Sequence, residues 1–176
     1  MYKFFLTAVC LAGFCAVPAL AQNNEISFSA GGGALFGNNE SRTASAFTLA
    51  YDRNLTNQLA LESSLELFYI DVPNFGRDDY AGVQGAVLYH FRKAKDQRFV
   101  PYLTAGVGNT TTDFTEVPST LVIRLGGGFK SFFGQSQRFG LRVEARDEII
   151  GKGQTIFYPA ARINFPSARV GFIYRF

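Results

Sequence analysis

The fold the sequence predicts is all-β, an eight-stranded antiparallel up-and-down transmembrane β-barrel, and three observations predict it. Apolar residues recur at every second position along most of the chain, the period of a strand with two unlike faces. The alternating runs last about ten residues or more, against the five or six usual in soluble sheets. The sequence finishes on "ARVGFIYRF", where Val170, Phe172, Tyr174 and Phe176 share one face and Arg169, Gly171, Ile173 and Arg175 the other. A strand that is apolar on one side to its final residue needs an apolar solvent on that side. A soluble β-sandwich would alternate in the same way, but its last strand would taper off instead of carrying aromatic bulk to its end.

Residues 1–21 are set aside as a secretory signal peptide. Lys3 supplies a short basic region, "FFLTAVCLAGFCAV" an apolar core, and Ala19 and Ala21 the small residues before a cut ahead of Gln22. The apolar run is short for a membrane helix, and no second run follows. A lipoprotein signal would place small residues before its cysteine, whereas Phe14 precedes Cys15 and Val9 precedes Cys10. Both cysteines lie in this segment, so residues 22–176 hold neither a disulfide framework nor a thiolate metal site. Those 155 residues suit one barrel domain. The formal charge is +3 over the whole sequence and about +2 without Lys3. That is too balanced for a nucleic-acid footprint.

Eight strands follow in order. The first, 25–36, carries Phe28 and Phe36 on its apolar face, and the second, 44–54, brings Tyr51 to the link "RNLTN". In the third, 58–70, Leu59, Leu61, Leu65, Leu67 and Tyr69 oppose Ala60, Glu62, Ser64, Glu66 and Phe68, with Ser63 the exception. The fourth, 79–92, ends near Tyr89 and Phe91, and the fifth, 99–109, reads "FVPYLTAGVGN". The sixth, 120–132, sets Leu121, Ile123, Leu125 and Phe129 against Arg124 and Lys130. The seventh, 138–148, sets Phe139, Leu141, Val143 and Ala145 against Gly140, Arg142, Glu144 and Arg146. The eighth, 167–176, is the closing segment quoted above. A tilted strand of about ten residues crosses a bilayer core, and closure removes the unpaired edges that lipid does not tolerate.

The links support the same topology. Those after strands two, four and six are the short "RNLTN", "KAKDQR" and "FGQSQ", whereas longer ones are expected near 71–78, 110–119 and 149–166. Short periplasmic turns and longer outer loops are the usual asymmetry. The outward Phe28, Tyr51, Tyr89, Phe91, Phe129, Phe139, Tyr174 and Phe176 then gather at the periplasmic ends, and Phe36 and Tyr69 at the outer ends, as an aromatic girdle.

The terminal "VGFIYRF" resembles that of small outer-membrane barrels of the OmpA/OmpX type. The stretches "LYHFR", "VPYLTAGVG" and "GLRVEARDEI" resemble the broad outer-membrane protein beta-barrel domain family of Gram-negative bacteria. The resemblance spans residues 22–176. It implies an integral protein of the cell outer membrane, surrounded by membrane lipid and lipopolysaccharide, expected as a monomer with no nucleic-acid partner. It also implies that Val170, Phe172, Tyr174 and Phe176 form the signal read by the barrel-assembly machinery. The family's functions are diverse and include adhesins and structural proteins, and no extracellular ligand is named.

Three chemistries compete against that background. A lipid A-modifying enzyme needs an activated serine beside a histidine and an acid. The lone His90 is expected in the lumen near the periplasmic end, and Arg92 stands where lipid A deacylases place a serine two residues after their histidine. A small, porin-like pore needs a continuous water path. The carboxylates Glu62, Glu66 and Glu144 are instead expected to neutralise Arg124, Arg142 and Arg146 across a lumen narrow enough for side chains to fill. Gly31–Gly33 and Gly126–Gly128 are no phosphate cradles, since no helix follows them, and "GKGQT" at 151–155 lacks the preceding glycine of a phosphate loop. No cofactor, catalytic group or metal site is expected. The last loop, "GKGQTIFYPAARINFP", is expected to expose Ile156, Phe157, Tyr158 and Phe165 as a contact surface or against the barrel rim. The functional expectation is a non-catalytic envelope component that binds ligands or surfaces through its extracellular loops, with the enzyme and the pore as alternatives.

Overall fold

A computed structural model of the chain describes residues 24–37, 40–72, 76–91, 97–111, 120–151 and 163–176. The predicted leader, residues 1–21, lies outside them. The strands are β1 (Glu25–Gly37), β2 (Glu40–Asn54), β3 (Leu59–Val72), β4 (Gly76–His90), β5 (Phe99–Thr111), β6 (Thr120–Phe133), β7 (Phe139–Ile150) and β8 (Ile163–Arg175). Each pairs antiparallel with its sequence neighbours, and β8 pairs with β1, so the sheet closes into a barrel in the order β1-β2-β3-β4-β5-β6-β7-β8. This is the predicted up-and-down fold, and closure rules out a two-sheet sandwich.

Alternation fixes which face each residue takes, because a strand's side chains change sides at every step. Along β7 the even positions from Gly140 to Glu148 are buried, while Phe139 and Ala145 are exposed. On β8 the inward residues are Ser167, Arg169, Gly171, Ile173 and Arg175, and the outward ones Val170, Phe172, Tyr174 and Phe176. The exterior is the apolar side: Phe172 is 72 % exposed and Leu125 53 %, whereas Arg124 between Ile123 and Leu125 is 0 % exposed. A globular protein in water inverts that relation. An outer surface of this kind is stable facing hydrocarbon.

Residue size shapes the wall as well. A Cβ on Gly31 of β1 would lie 2.0 Å from the Ala168 carbonyl oxygen of β8, so the seam is narrow enough there to admit only glycine. In the turn after β6, Gly134 has φ +72°, the left-handed region that a glycine enters without strain. The turn after β2 is held by the Thr56 hydroxyl, which accepts the N–H groups of Gln58 at 3.1 Å and Leu59 at 2.9 Å.

The strands reach further than expected at the end remote from the termini. β2 begins at Glu40, β4 at Gly76 and β8 at Ile163, several residues before their predicted starts, so only residues 38–39 and 73–75 separate the first two outer hairpins. The uniform loop asymmetry expected from sequence therefore holds for the link 151–162 alone, since 112–119 is no longer than 91–98 at the other end. Ladder hydrogen bonding extends through the polar "ESRT" and "GRDD" segments, which carry no period-2 apolar signal. The longest link, 151–162, lies at that same end, which marks it as extracellular and leaves Asn24 and Phe176 on the periplasmic side.

Outward aromatics line the periplasmic rim. Tyr89 packs on Phe91, Phe99 on Phe129 and Phe139 on Tyr174, with ring centroids 5.0–5.2 Å apart, and Tyr174 continues to Phe176 at 6.2 Å. Phe99 and Phe133, each 50 % exposed, add to the predicted girdle.

Candidate functional site

The lumen concentrates the chain's chemistry. Its inward positions come from the small-or-polar half of each alternating strand, and twelve charged ones are buried: Glu25, Asp52, Glu62, Glu66, Glu144 and Glu148 against Arg124, Lys130, Arg142, Arg146, Arg169 and Arg175; Arg42, half-buried, also turns inward opposite Leu35 at the outer end. Six carboxylates face six cations. The buried set is thus formally neutral, the condition for holding charges away from water.

The pairing is continuous from the periplasmic end upward. Lys130 sits 2.6 Å from Glu25 and 2.7 Å from Asp52, and Arg175 of β8 reaches Glu25 of β1 at 2.9 Å across the closing seam. Arg175 also covers the ring of Phe132, with its guanidinium carbon 3.5 Å from the centroid. Arg142 links this group to the next, 3.6 Å from Asp52 and 2.6 Å from Glu62. Arg124 pairs with Glu62, and Arg142 with Glu144. The Tyr102 hydroxyl donates to Glu144 at 2.5 Å and accepts from Arg142 Nε at 2.8 Å. Above these, Arg146 reaches Glu66 at 2.5 Å, Glu144 at 3.4 Å and Glu148 at 3.3 Å. Arg169 closes the set on Glu66 at 3.4 Å and Glu148 at 3.2 Å, and its guanidinium donates to the Thr48 hydroxyl. Gln84 donates to Glu66 at 3.0 Å and Glu148 at 3.2 Å.

Apolar clusters lie towards both ends of the charged column, with Glu25 and Arg175 a rung beyond Ile173. Leu35, Ala44, Ala46, Phe68 and Phe165 lie towards the outside, with Ile70, Tyr80 and Ile150 against them. Val100, Phe132 and Ile173 lie towards the periplasm. The void between Ser29, Thr48, Arg142, Glu144, Arg146 and Arg169 is about 10 Å³. That is room for roughly one water molecule.

The six charged residues named from sequence, Glu62, Glu66, Arg124, Arg142, Glu144 and Arg146, all face inward and are joined through shared partners. Glu25, Asp52, Lys130, Glu148, Arg169 and Arg175 join them in the lumen, turned inward by the parity of their strands. His90 ends β4 with 0 % exposure, its ring edge-on to Tyr102 at 6.1 Å. Ile156, Phe157 and Tyr158 lie outside the described residues. Phe165 corrects the expectation of an exposed loop residue: it belongs to β8, faces the lumen at 0 % exposure and meets Phe68 edge-on at 5.6 Å. β8 begins at Ile163, so Phe165 falls within the strand and on its inward parity. Among the described residues no cluster of three histidine, cysteine, aspartate or glutamate side chains is placed to hold a metal ion.

The fold is shared with solved outer-membrane proteins. Neisserial surface protein A is similar with a TM-score of 0.68 at 14 % identity, covering 89 % of this chain and 100 % of that one. The outer membrane enzyme PagL gives 0.58 at 18 % identity, over 84 % and 97 %. Ail, the attachment invasion locus protein of Yersinia pestis, gives 0.54 at 15 % identity, over 89 % and 100 %. At these identities the likeness is one of fold. No curated protein matches the sequence. The family model of the outer membrane protein beta-barrel domain matches residues 7–176, and with an eight-stranded barrel to go with it, the chain belongs to that family of outer-membrane barrels.

Proposed function

We propose that the protein is a non-catalytic, non-conducting component of the Gram-negative outer membrane, a monomer that meets its surroundings through its lipid-facing wall and its outer rim. The observation that carries this reading is the balanced set of six buried carboxylates and six buried cations in the lumen, with apolar clusters packed towards either end. A pore needs a continuous path of water, and a void of about 10 Å³ is too small to contribute one. A catalytic base must reach its substrate. His90, the sequence's single histidine, is fully enclosed at the end of the barrel opposite the outer leaflet. The likeness to PagL is therefore read as shared architecture, since fold does not supply function.

In this reading residues 1–21 are removed on export, and the closing strand, through Val170, Phe172, Tyr174 and Phe176, is recognised by the barrel-assembly machinery. External contact is assigned to the outer links, Ile156, Phe157 and Tyr158 included. The test is a mass spectrum of lipid A from cells that express the protein and from cells that lack it. The two spectra should be the same. A lipid A species that gains or loses an acyl chain only on expression would replace this reading with an enzyme.

A further inference from the structure

Charge is shared unevenly between the two ends of the barrel. The links at the periplasmic end, 55–58, 91–98 and 134–138, carry Arg92, Lys93, Lys95, Arg98 and Arg138 against Asp96 alone. The outer links, 38–39, 73–75, 112–119 and 151–162, are balanced, with Lys152 and Arg162 against Asp113 and Glu116. The buried lumen set is neutral as well, so positive charge collects at the periplasmic rim.

Two of those cations stand at a repeated place. The tripeptide "QRF" occurs at 97–99, where β5 begins, and again at 137–139, where β7 begins. Each arginine is fixed by its backbone. The Phe132 N–H donates to the Arg98 carbonyl at 2.8 Å, and the Arg175 N–H donates to the Arg138 carbonyl at 2.7 Å. Both arginines are exposed, and so are Phe99 and Phe139 beside them, on the lipid-facing side. Arg53 forms a third corner at the end of β2, on the outward face two residues past Tyr51 and opposite Leu61. The Tyr51 ring lies 6.5 Å from that of Phe176, so Arg53 stands at the edge of the aromatic rim.

Interfacial rings settle at the level of lipid headgroups, so an arginine one or two residues from such a ring is held near their phosphates. A guanidinium meets a phosphate with paired N–H donors. The three arginines belong to three different corners of the barrel, β2–β3, β4–β5 and β6–β7. A globular partner would cover one side of that ring, whereas a lipid leaflet surrounds it. We propose that the periplasmic rim, through Arg53, Arg98 and Arg138, binds the phosphates of anionic glycerophospholipids in the inner leaflet. Their acyl chains lie against Tyr51, Phe99 and Phe139. The headgroup is anionic because a zwitterionic one brings its own ammonium to an already positive rim. The inference rests on the outer-membrane reading and adds a lipid preference at one end of the barrel.

The test uses native mass spectrometry of the detergent-purified protein offered equimolar phosphatidylglycerol and phosphatidylethanolamine with identical acyl chains. Phosphatidylglycerol should be retained in preference. Arg98→Gln combined with Arg138→Gln should cut the ratio of the two lipids about fivefold or more, since one basic residue near an anionic surface is worth about fivefold. Arg98→Lys combined with Arg138→Lys, which keeps the charge, should preserve most of the preference. Lys152→Gln, which removes a cation from an outer link, should leave the ratio unchanged. All these variants should still run faster unboiled than boiled, because none alters a buried lumen residue. Equal retention of the two lipids, an undiminished ratio in the double glutamine variant, or an equal loss in Lys152→Gln would each overturn the site. Sedimentation with isolated peptidoglycan that the double glutamine variant loses, without any lipid preference, would overturn it in favour of the wall polymer. Absence of the gel shift in the unaltered protein would instead overturn the membrane-barrel reading itself.

Discussion

Asn24 and Phe176 exchange backbone hydrogen bonds in both directions, at 3.1 Å from the Asn24 N–H and 3.0 Å from the Phe176 N–H. The final residue of the sequence is thus a rung of the ladder that joins β8 to β1. Its ring lies outside, 6.5 Å from Tyr51 and 6.2 Å from Tyr174, in the aromatic rim. The backbone pairing belongs to any residue at that position, whereas the ring belongs to phenylalanine.

Phe176→Ser should therefore leave a barrel that refolds in detergent, since full burial of a phenylalanine contributes only about 1.5–3 kcal/mol and this ring is half exposed. In cells the variant should reach the outer membrane in smaller amount and be degraded in the periplasm, and Phe176→Tyr should be milder. Blots of outer-membrane and periplasmic fractions make the comparison. Normal assembly of Phe176→Ser would reduce the residue to one more girdle aromatic.

Arg124 is fully enclosed and shared by Glu62 and Glu66. Arg124→Ala leaves both carboxylates short of a cation, and the expected destabilisation is about 3–5 kcal/mol. Arg138→Ala, in an exposed turn, should change stability by less than about 0.5 kcal/mol. The unfolding midpoint in urea, followed by the unboiled-to-boiled gel shift, separates the two. Equal midpoints would mean that water already screens the lumen charges.

Gly31→Ala sets a methyl against the Ala168 carbonyl at the β1–β8 seam, whereas a Cβ on Gly85 would lie 4.0 Å from its nearest neighbour, the Glu62 carbonyl. The first substitution should cost about 1–3 kcal/mol through overpacking. The second should be neutral or slightly stabilising, because alanine loses less backbone entropy than glycine. Urea midpoints of the two variants, measured side by side, check the order.

The eight strands were legible in the sequence because each has only one face compatible with lipid, and a slip of one residue would turn every side chain over. The outer ends were not legible. In "ESRT" and "GRDD" ladder pairing continues past the lipid band, so it leaves no apolar alternation behind. Phe165 was misplaced for the same reason: Pro166 beside it reads as a loop residue, yet β8 runs through both. The inward face of the lumen charges was legible from alternation within single strands. Their pairing was not, because Lys130 meets Glu25 and Arg169 meets Thr48 across the lumen, at separations of 105 and 121 residues that no local pattern encodes.

The sealed lumen is tested most directly by conductance. Purified protein in a planar lipid bilayer, confirmed as folded by its gel mobility, should give no stable, uniform current steps. Arg124→Ala combined with Phe165→Ala, which removes one charge and one residue of the outer apolar cluster, should raise leak above that baseline. Large, uniform, long-lived channels from the unaltered protein would contradict the account and make the barrel a pore.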